Sequence, residues 1–194
     1  MFTGLIQYVG TIVSKTLSGD GIQFGIDCGN LTRKLSIGDS IAINGVCLTV
    51  TKKKKQIVEV HAVKETLKKT VLNNFKISNE INCELPLLAI DYVGGHFVLG
   101  HVDTVGKIIS IRNQQESNLF KIWFPKRFSK YVIPRGSIAV DGVSLTIAEL
   151  QTRSFIVSII PHTFGHTIFK NYTTGENVNI EFDVLGKYAF RNKN

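Results

Sequence analysis

Cys47 is the residue with the most reactive side chain in a patterned setting, the run Asn44-Gly45-Val46-Cys47-Leu48-Thr49-Val50. A thiolate is a strong nucleophile once nearby groups stabilise it, whereas a lone thiol in a strand acts as a small inert hydrophobe. Spacing alone leaves both readings open. Around it stand hydroxyls, Ser40 before and Thr49 after, and a second run carries Ser144 in the place of Cys47 and Thr146 in the place of Thr49. Hydroxyls and backbone amides of this kind suit the polar edge of a neutral heterocycle. Gly45 and Gly142 beside these strands mark either bulges or points where a ligand or backbone comes close.

Other reactive groups form weaker patterns. His96 and His101 flank Gly-Gly-His-Phe-Val-Leu-Gly-His, and His162 and His166 lie four apart. Neither pair is followed by a third ligand at metal-site spacing, so no metal is expected. Cys28, Cys47 and Cys83 are an odd number at wide spacing, which fits reduced thiols rather than a disulfide framework. No glycine-rich nucleotide fingerprint is present.

These residues recur because the chain repeats itself. Gly-Asp-Ser-Ile-Ala-Ile-Asn-Gly-Val-Cys-Leu-Thr-Val at 38–50 aligns with 135–147, with seven of thirteen positions identical and four more close exchanges. The offset of 97 persists downstream, pairing Thr66 with Thr163, Asn82 with Asn179 and Glu84 with Glu181. Upstream it is 96, so that Gly4 faces Gly100 and Gly10 faces Gly106. Two tandem copies of one domain follow, at 1–96 and 97–186, with 187–194 as a tail. At matched positions Cys47 faces Ser144, Asn44 faces Asp141, Leu5 faces His101 and Ala62 faces Ile159.

Each copy is a series of short alternating or β-branched runs separated by Gly, Asp, Asn, Ser or Lys. In the first copy these are 5–14, 21–27, 40–51 and 56–63; in the second, 101–110, 118–124, 137–150 and 154–160. Such runs in so small a domain predict an all-β fold with a closed antiparallel barrel in each copy, since closure removes exposed edges. Short helices are expected over 64–75, 161–172 and 126–133. The last stretch has weak helical spacing broken by Gly186 and is expected as a short C-terminal helical tail.

The 194 residues are 43% hydrophobic and 20% charged, which excludes a disordered chain. No apolar stretch reaches the roughly 20 residues that span a bilayer, and the opening lacks the pattern of a secretory signal, so a cytoplasmic protein without membrane contact is expected. The charge is +8, and Lys52 to Lys55 form a basic run. That run lies between two strands with no interleaved aromatics to stack bases, so it reads as a solvated hairpin tip rather than a nucleic-acid site.

The blocks Met-Phe-Thr-Gly-Leu-Ile-Gln, Asn-Gly-Val-Cys-Leu-Thr-Val, Lys-Glu-Thr-Leu, Gly-Gly-His-Phe-Val-Leu-Gly-His-Val-Asp, Gly-Ser-Ile-Ala-Val-Asp-Gly-Val-Ser-Leu-Thr, Ile-Pro-His-Thr and Val-Asn-Ile-Glu-Phe-Asp occur in order along the whole chain. In this the chain resembles the riboflavin synthase family of tandem lumazine-binding barrels. The resemblance implies transfer of a four-carbon unit between two molecules of 6,7-dimethyl-8-ribityllumazine, giving riboflavin and 5-amino-6-(D-ribitylamino)uracil. It implies two tandem six-stranded antiparallel Greek-key barrels, with no metal and no organic cofactor. It also implies a homotrimer whose active sites lie between the N-terminal barrel of one subunit and the C-terminal barrel of the next. A non-catalytic lumazine or flavin carrier on the same scaffold is the alternative, and retention of Cys47 and Ser40 favours the enzyme.

By match to the family motifs, the catalytic candidates are Cys47, Ser40, His101, Thr146 and Asp183. The implied binding segments in the N-terminal barrel are Gly4, Leu5 and Ile6; Cys47, Leu48 and Thr49; and His61, Ala62, Val63, Lys64, Glu65 and Thr66. In the C-terminal barrel they are Gly100, His101 and Val102; Ser144, Leu145 and Thr146; and Ser158, Ile159, Ile160, Pro161, His162 and Thr163. Arg135 is implied to reach the ligand across the subunit boundary. About a dozen residues follow Phe182, fewer than in the family's longer terminal helix. The basic surface reads either as compositional bias or as attraction for the neighbouring enzyme, lumazine synthase.

Overall fold

The computed structural model describes residues 1–191. Twelve antiparallel strands form two closed barrels. The first comprises β1 (Tyr8–Ser18), β2 (Gly21–Asp27), β3 (Ser40–Ile43), β4 (Val46–Lys54), β5 (Ile57–Ala62) and β6 (Glu80–Glu84). The second comprises β7 (Thr104–Asn113), β8 (Asn118–Trp123), β9 (Ser137–Val140), β10 (Val143–Gln151), β11 (Ser154–Ile159) and β12 (Asn177–Phe182). The order around the first barrel is β1-β2-β5-β4-β3-β6, a Greek-key path in which β6 closes against both β1 and β3. The second barrel repeats it.

Alternation decides which side chains fill each barrel. Along β4, Val46, Leu48 and Val50 are buried inward while Thr49 stands exposed and Cys47 is half-buried on the outer face. Along β10, Val143, Leu145 and Ile147 go in, leaving Ser144 and Thr146 outside. The first core is mostly aliphatic, built on residues such as Ile12, Ile26, Ile41, Val58, Leu72 and Ile81. The second substitutes Phe169 at the place of Leu72 and Phe155 at that of Val58, and it is bound by edge-on ring contacts such as Phe120–Phe169, 5.1 Å between centroids.

Two local expectations are corrected. The runs 40–51 and 137–150 are each two strands, not one. Asn44-Gly45 and Asp141-Gly142 form two-residue hairpin turns in which all four residues have positive φ (44°, 74°, 44° and 79°), the backbone that Asn-Gly and Asp-Gly adopt with least strain. These glycines therefore mark turns and not bulges. The register shifts fall elsewhere, between Val50 and Lys52 on β4 and between Ile147 and Glu149 on β10.

Helices are short, as expected. Residues 64–75 divide into α1 (Lys64–Lys69) and a 3-10 turn at Val71–Asn74, with the Thr70 side chain accepting from the Leu72 amide. Residues 161–172 divide the same way, into α2 (Pro161–Gly165) and Ile168–Asn171. Residues Lys126–Tyr131 form a 3-10 helix. The C-terminal α3 (Val184–Arg191) runs through Gly186 without a break; that glycine is buried, and a Cβ on it would lie 3.5 Å from the Tyr131 carbonyl, an ordinary contact. Of the expected tail 187–194, residues 192–194 lie outside the described residues. Among the described residues no helix is long and apolar enough to cross a membrane.

The two hairpin turns meet back to back where the barrels touch. A Cβ on Gly45 would lie 2.6 Å from the Gly142 nitrogen, so only glycine permits this approach. Around it runs a reciprocal amide network. The Asn82 side chain donates to the Asp141 carbonyl at 2.9 Å and that of Asn179 donates to the Asn44 carbonyl at 2.9 Å. Their side-chain oxygens accept from the Ile168 and Val71 amides, starting the 3-10 turn of the opposite barrel. Every amide side chain in this buried clasp is partnered, so the seam fixes a single orientation of one barrel on the other. Phe2 lies beside it, fully buried among Ala42, Val98 and Ala139 and bridged to Val98 by backbone bonds of 2.7 and 3.1 Å.

Candidate functional site: two crossed clefts

Each cleft begins with paired hydroxyl strands. Ser40 on β3 lies opposite Thr49 on β4, and Ser137 on β9 lies opposite Thr146 on β10. These four hydroxyl-bearing residues lie on the outer faces, away from the cores. The end of β5, with His61 and Ala62, runs alongside β4 and leads into α1; β11 with Ser158 and Ile159 does the same for α2. His61 is half-buried and its Nε2 lies 3.2 Å from the Ser18 carbonyl, which ties it to the β1–β2 hairpin. Val63, Lys64 and Glu65 are exposed, with Glu65 paired to Lys69 at 2.8 Å, and Thr66 is half-buried. Ile160, Pro161 and His162 are likewise exposed, and the His162 and His166 rings stack at 4.2 Å.

The loops that complete the clefts are exchanged between barrels. Gly4 to Ile6 close the C-terminal cleft: the Ser144 amide donates to the Gly4 carbonyl at 2.8 Å, and Ile6 packs against the second core. Gly100 to Val102 close the N-terminal cleft: the Cys47 amide donates to the Gly100 carbonyl at 2.9 Å, and Val102 packs against the first core. This corrects the expected grouping, which put 4–6 with the N-terminal segments and 100–102 with the C-terminal ones. The physical reason is the path of the chain before each β1-type strand, which crosses the seam beside Phe2 and Val98 before entering its own barrel.

Beyond these loops lie two equivalent hollows. One of about 610 Å³ opens beside Leu5 and Ile6 and is flanked by residues 85–92; the other, about 550 Å³, holds His101 and Val102 and is flanked by α3. His101 is exposed there, near Asp103, which bonds Lys187 at 2.5 Å. Another hollow, about 760 Å³, lies across the seam between Phe75 and Tyr172 and contains none of the predicted site residues. Its volume reflects the gap between two convex barrels, and the hydroxyl-bearing strands face elsewhere.

Three features of the site were not among the expected site residues. The Nδ1 of His96 lies 2.7 Å from the Ser144 hydroxyl, while its Nε2 is buried with no partner among the described residues. Burial lowers the His96 pKa from its ordinary 6.5, against the opposing field of Asp183, so the ring is neutral at pH 7. Asp183 accepts from the Leu185 amide at 3.0 Å and starts α3. Glu84 and Glu181 are buried below the two loops, and burial raises both carboxyls above the usual 4.5 although loop amides bond to them. Ser137 is the third, the counterpart of Ser40. The repeat could have marked the glutamates and Ser137, since both copies keep them; His96 has no counterpart to compare with.

Arg135 occupies an exposed turn with φ of +63°, where the first copy has Gly38 at +95°. A bulky side chain in that region is strained, and such strain is kept where the side chain has a use.

Fold and paired clefts define a tandem-barrel protein with two matched small-molecule sites. The lumazine binding domain family model matches it twice, over residues 3–86 and 99–183. Riboflavin synthase of Bacillus subtilis (strain 168) is 41% identical over 191 residues, covering 98% of this chain and 89% of that protein. That of Photobacterium phosphoreum is 38% identical, covering 98% and 88%, and that of Saccharomyces cerevisiae is 35% identical, covering 96% and 84%. The chain belongs to the riboflavin synthase family. In fold it also matches LumP complexed with riboflavin (TM-score 0.88, 21% identity, 94% of this chain and 99% of that one) and LumP complexed with 6,7-dimethyl-8-(1'-D-ribityl) lumazine (TM-score 0.85, 21% identity, the same coverage).

Proposed function

We infer that this chain is a riboflavin synthase, converting two molecules of 6,7-dimethyl-8-ribityllumazine into riboflavin and 5-amino-6-(D-ribitylamino)uracil. The carrying observation is the pair of crossed clefts, each with a hydroxyl-bearing strand pair and a loop from the other barrel. A dismutation uses one compound as donor and as acceptor, and duplicated clefts hold two copies of one compound. Holding both rings in register replaces a bimolecular encounter with a positioned one.

The C7 methyl of the lumazine is acidic because its carbanion spreads into an electron-poor ring. A nucleophile adds at C7 of one molecule, the methyl carbanion of the other attacks, and elimination and ring closure follow. Cys47 and Ser40 serve addition or proton transfer in the N-terminal cleft. Thr146 holds polar groups of the ligand in the C-terminal cleft, Asp183 orients a hydroxyl or takes a proton there, and His101 moves protons at the methyl groups. Backbone groups of the crossed loops and the hydroxyls of Thr49, Thr66, Thr146 and Thr163 read the heterocycle edge and the ribityl chain. The reaction needs neither metal nor organic cofactor.

The units are taken as 1–96 and 97–186, and the assembly as a cytoplasmic homotrimer in which an N-terminal cleft faces a neighbouring subunit's C-terminal cleft. Exposed apolar residues around both clefts support this: Leu5, Val63 and Ile160 are each about half exposed, and Leu185 and Tyr188 of α3 are more so. Arg135 then reaches the ligand across that boundary. Association with lumazine synthase, whose product is the substrate, belongs to the same reading.

Mixing the purified chain with the lumazine tests the reaction. Riboflavin absorbance should grow with one equivalent of the pyrimidine. Tight binding without product would instead favour the non-catalytic carrier reading; LumP, which shares the fold, is seen complexed with riboflavin and with the lumazine.

A further inference from the structure

Two buried glutamates, neither assigned a part in the reaction, hold the loops that cross between the barrels. Glu84 on β6 accepts at one oxygen from the Thr3 amide at 2.7 Å and the Thr3 hydroxyl at 2.8 Å, and both its oxygens lie 3.1 Å from the Gly4 amide. Glu181 on β12 accepts from the Leu99 amide at 2.7 Å and the Gly100 amide at 2.9 Å, one oxygen to each. The next peptide carbonyls, those of Gly4 and Gly100, are the ones that receive the Ser144 and Cys47 amides.

We propose that Glu84 and Glu181 are positioning residues, each setting the geometry of the cleft in the opposite barrel by holding the loop that closes it. The proposal rests on the reading of the clefts as substrate sites. Glu84, in the N-terminal barrel, serves Ser144, and Glu181, in the C-terminal barrel, serves Cys47.

The choice of residue argues for this role. Two residues earlier on the same strands, Asn82 and Asn179 hold the seam with neutral amides. A purely structural tie between barrels therefore needs no charge, and a buried carboxylate is costly to keep. Two successive loop amides converge on each glutamate, however: at Glu181 each takes a different oxygen, and at Glu84 the Gly4 amide faces both, an arrangement that a carboxylate serves without presenting a donor to a donor. The bonded Gly4 and Gly100 amides lie in the peptide just before the one whose carbonyl meets Ser144 or Cys47, so holding them sets the direction of that carbonyl. Since each glutamate acts on the other barrel, the two clefts are tied to each other.

The full-length variants Glu84→Gln and Glu181→Gln test it, with turnover of the lumazine and alkylation of Cys47 by iodoacetamide as readouts. Cys47 is the partly accessible thiol; Cys28 and Cys83 are buried. Both variants should lose about tenfold or more in kcat/KM. Cys47 alkylation should change several-fold in Glu181→Gln and stay within about twofold of wild type in Glu84→Gln, since only Glu181 holds the Gly100 loop. Retention of kcat/KM by both variants, or an equal change of alkylation in both, overturns the proposal.

If Glu84→Gln does not fold, Thr3→Val removes one of its bonds with little change of shape. It should lower kcat/KM and leave Cys47 alkylation unchanged, and unaltered kcat/KM would overturn the role of Glu84. A wild-type chain that forms no riboflavin defeats the reaction reading instead, and the contrast in alkylation then decides the proposal by itself.

Discussion

Gly4 lies against Ser144 so closely that a Cβ on the glycine would stand 2.6 Å from the serine Cβ, and Gly100 bears the same relation to Cys47 at 2.5 Å. Both glycines have positive φ, +77° and +79°. Alanine at either place is strained by its backbone and collides with the residue the loop should meet. Gly4→Ala and Gly100→Ala should each cost about 2–4 kcal/mol of stability. Activity should fall further than stability explains, because an ångström of misplacement costs roughly a hundredfold in rate. Denaturant unfolding and kcat/KM, measured on the same preparations, would separate the two losses; wild-type kcat/KM in either variant would show that the close approach does not shape the cleft.

Cys47→Ser makes the N-terminal cleft match the C-terminal one, where Ser144 occupies the equivalent position. The two side chains are close in size and the site is half-buried, so stability should change by less than about 1 kcal/mol. Turnover should fall by about tenfold or more if the thiol adds to the ring or moves a proton. Steady-state kcat decides it, and an unchanged value removes the thiol from the mechanism.

The barrels were legible because inward and outward residues alternate along every strand, and because the repeat shows each pattern twice. The hairpin turns were legible too in the Asn44-Gly45 and Asp141-Gly142 pairs, which the sequence reading ran through as continuous strand. The short C-terminal helix was legible as well, although propensity alone counts Gly186 against it. The exchange of loops was not legible. Alignment compares each copy with the other and so groups Gly4 with Cys47, whereas the exchange depends on how residues 1–7 cross the seam. His96 was seen only as one of a histidine pair, because the repeat as aligned from Gly4 with Gly100 does not reach it and so could not single it out.

Arg135 occupies a left-handed turn position that the first copy fills with Gly38. Arg135→Gly relieves that strain and should leave stability equal or raise it by up to about 1 kcal/mol, the gain being reduced by the greater entropy of glycine in the unfolded chain. If the guanidinium reaches the substrate of a neighbouring subunit, KM should rise several-fold with the barrels intact. A variant with wild-type KM would leave the strain unexplained by substrate binding.

Asp141 supplies a pH dependence whose sign follows from its burial. Removal from water raises its pKa from the usual 3.8 to about 7, although the Tyr172 hydroxyl and the Asn179 amide bond to it and oppose the rise. Between those pH values the folded chain holds a proton that the unfolded chain has released. Stability from this group is therefore fully present below about pH 4 and is lost as pH rises toward about 7, a change on the order of 4 kcal/mol. The first copy places Asn44 at the same point, where its side-chain oxygen accepts from the Asn82 amide as that of Asp141 accepts from Asn179. Asp141→Asn should keep the seam, match wild type near pH 4, and be the more stable protein at pH 8. The difference between the two unfolding free energies, followed from pH 4 to 8, isolates this residue from Glu84 and Glu181, whose carboxyls are raised in the same direction. A difference that stays flat across that range would mean that Asp141 is ionised throughout, with the Tyr172 and Asn179 bonds outweighing its burial.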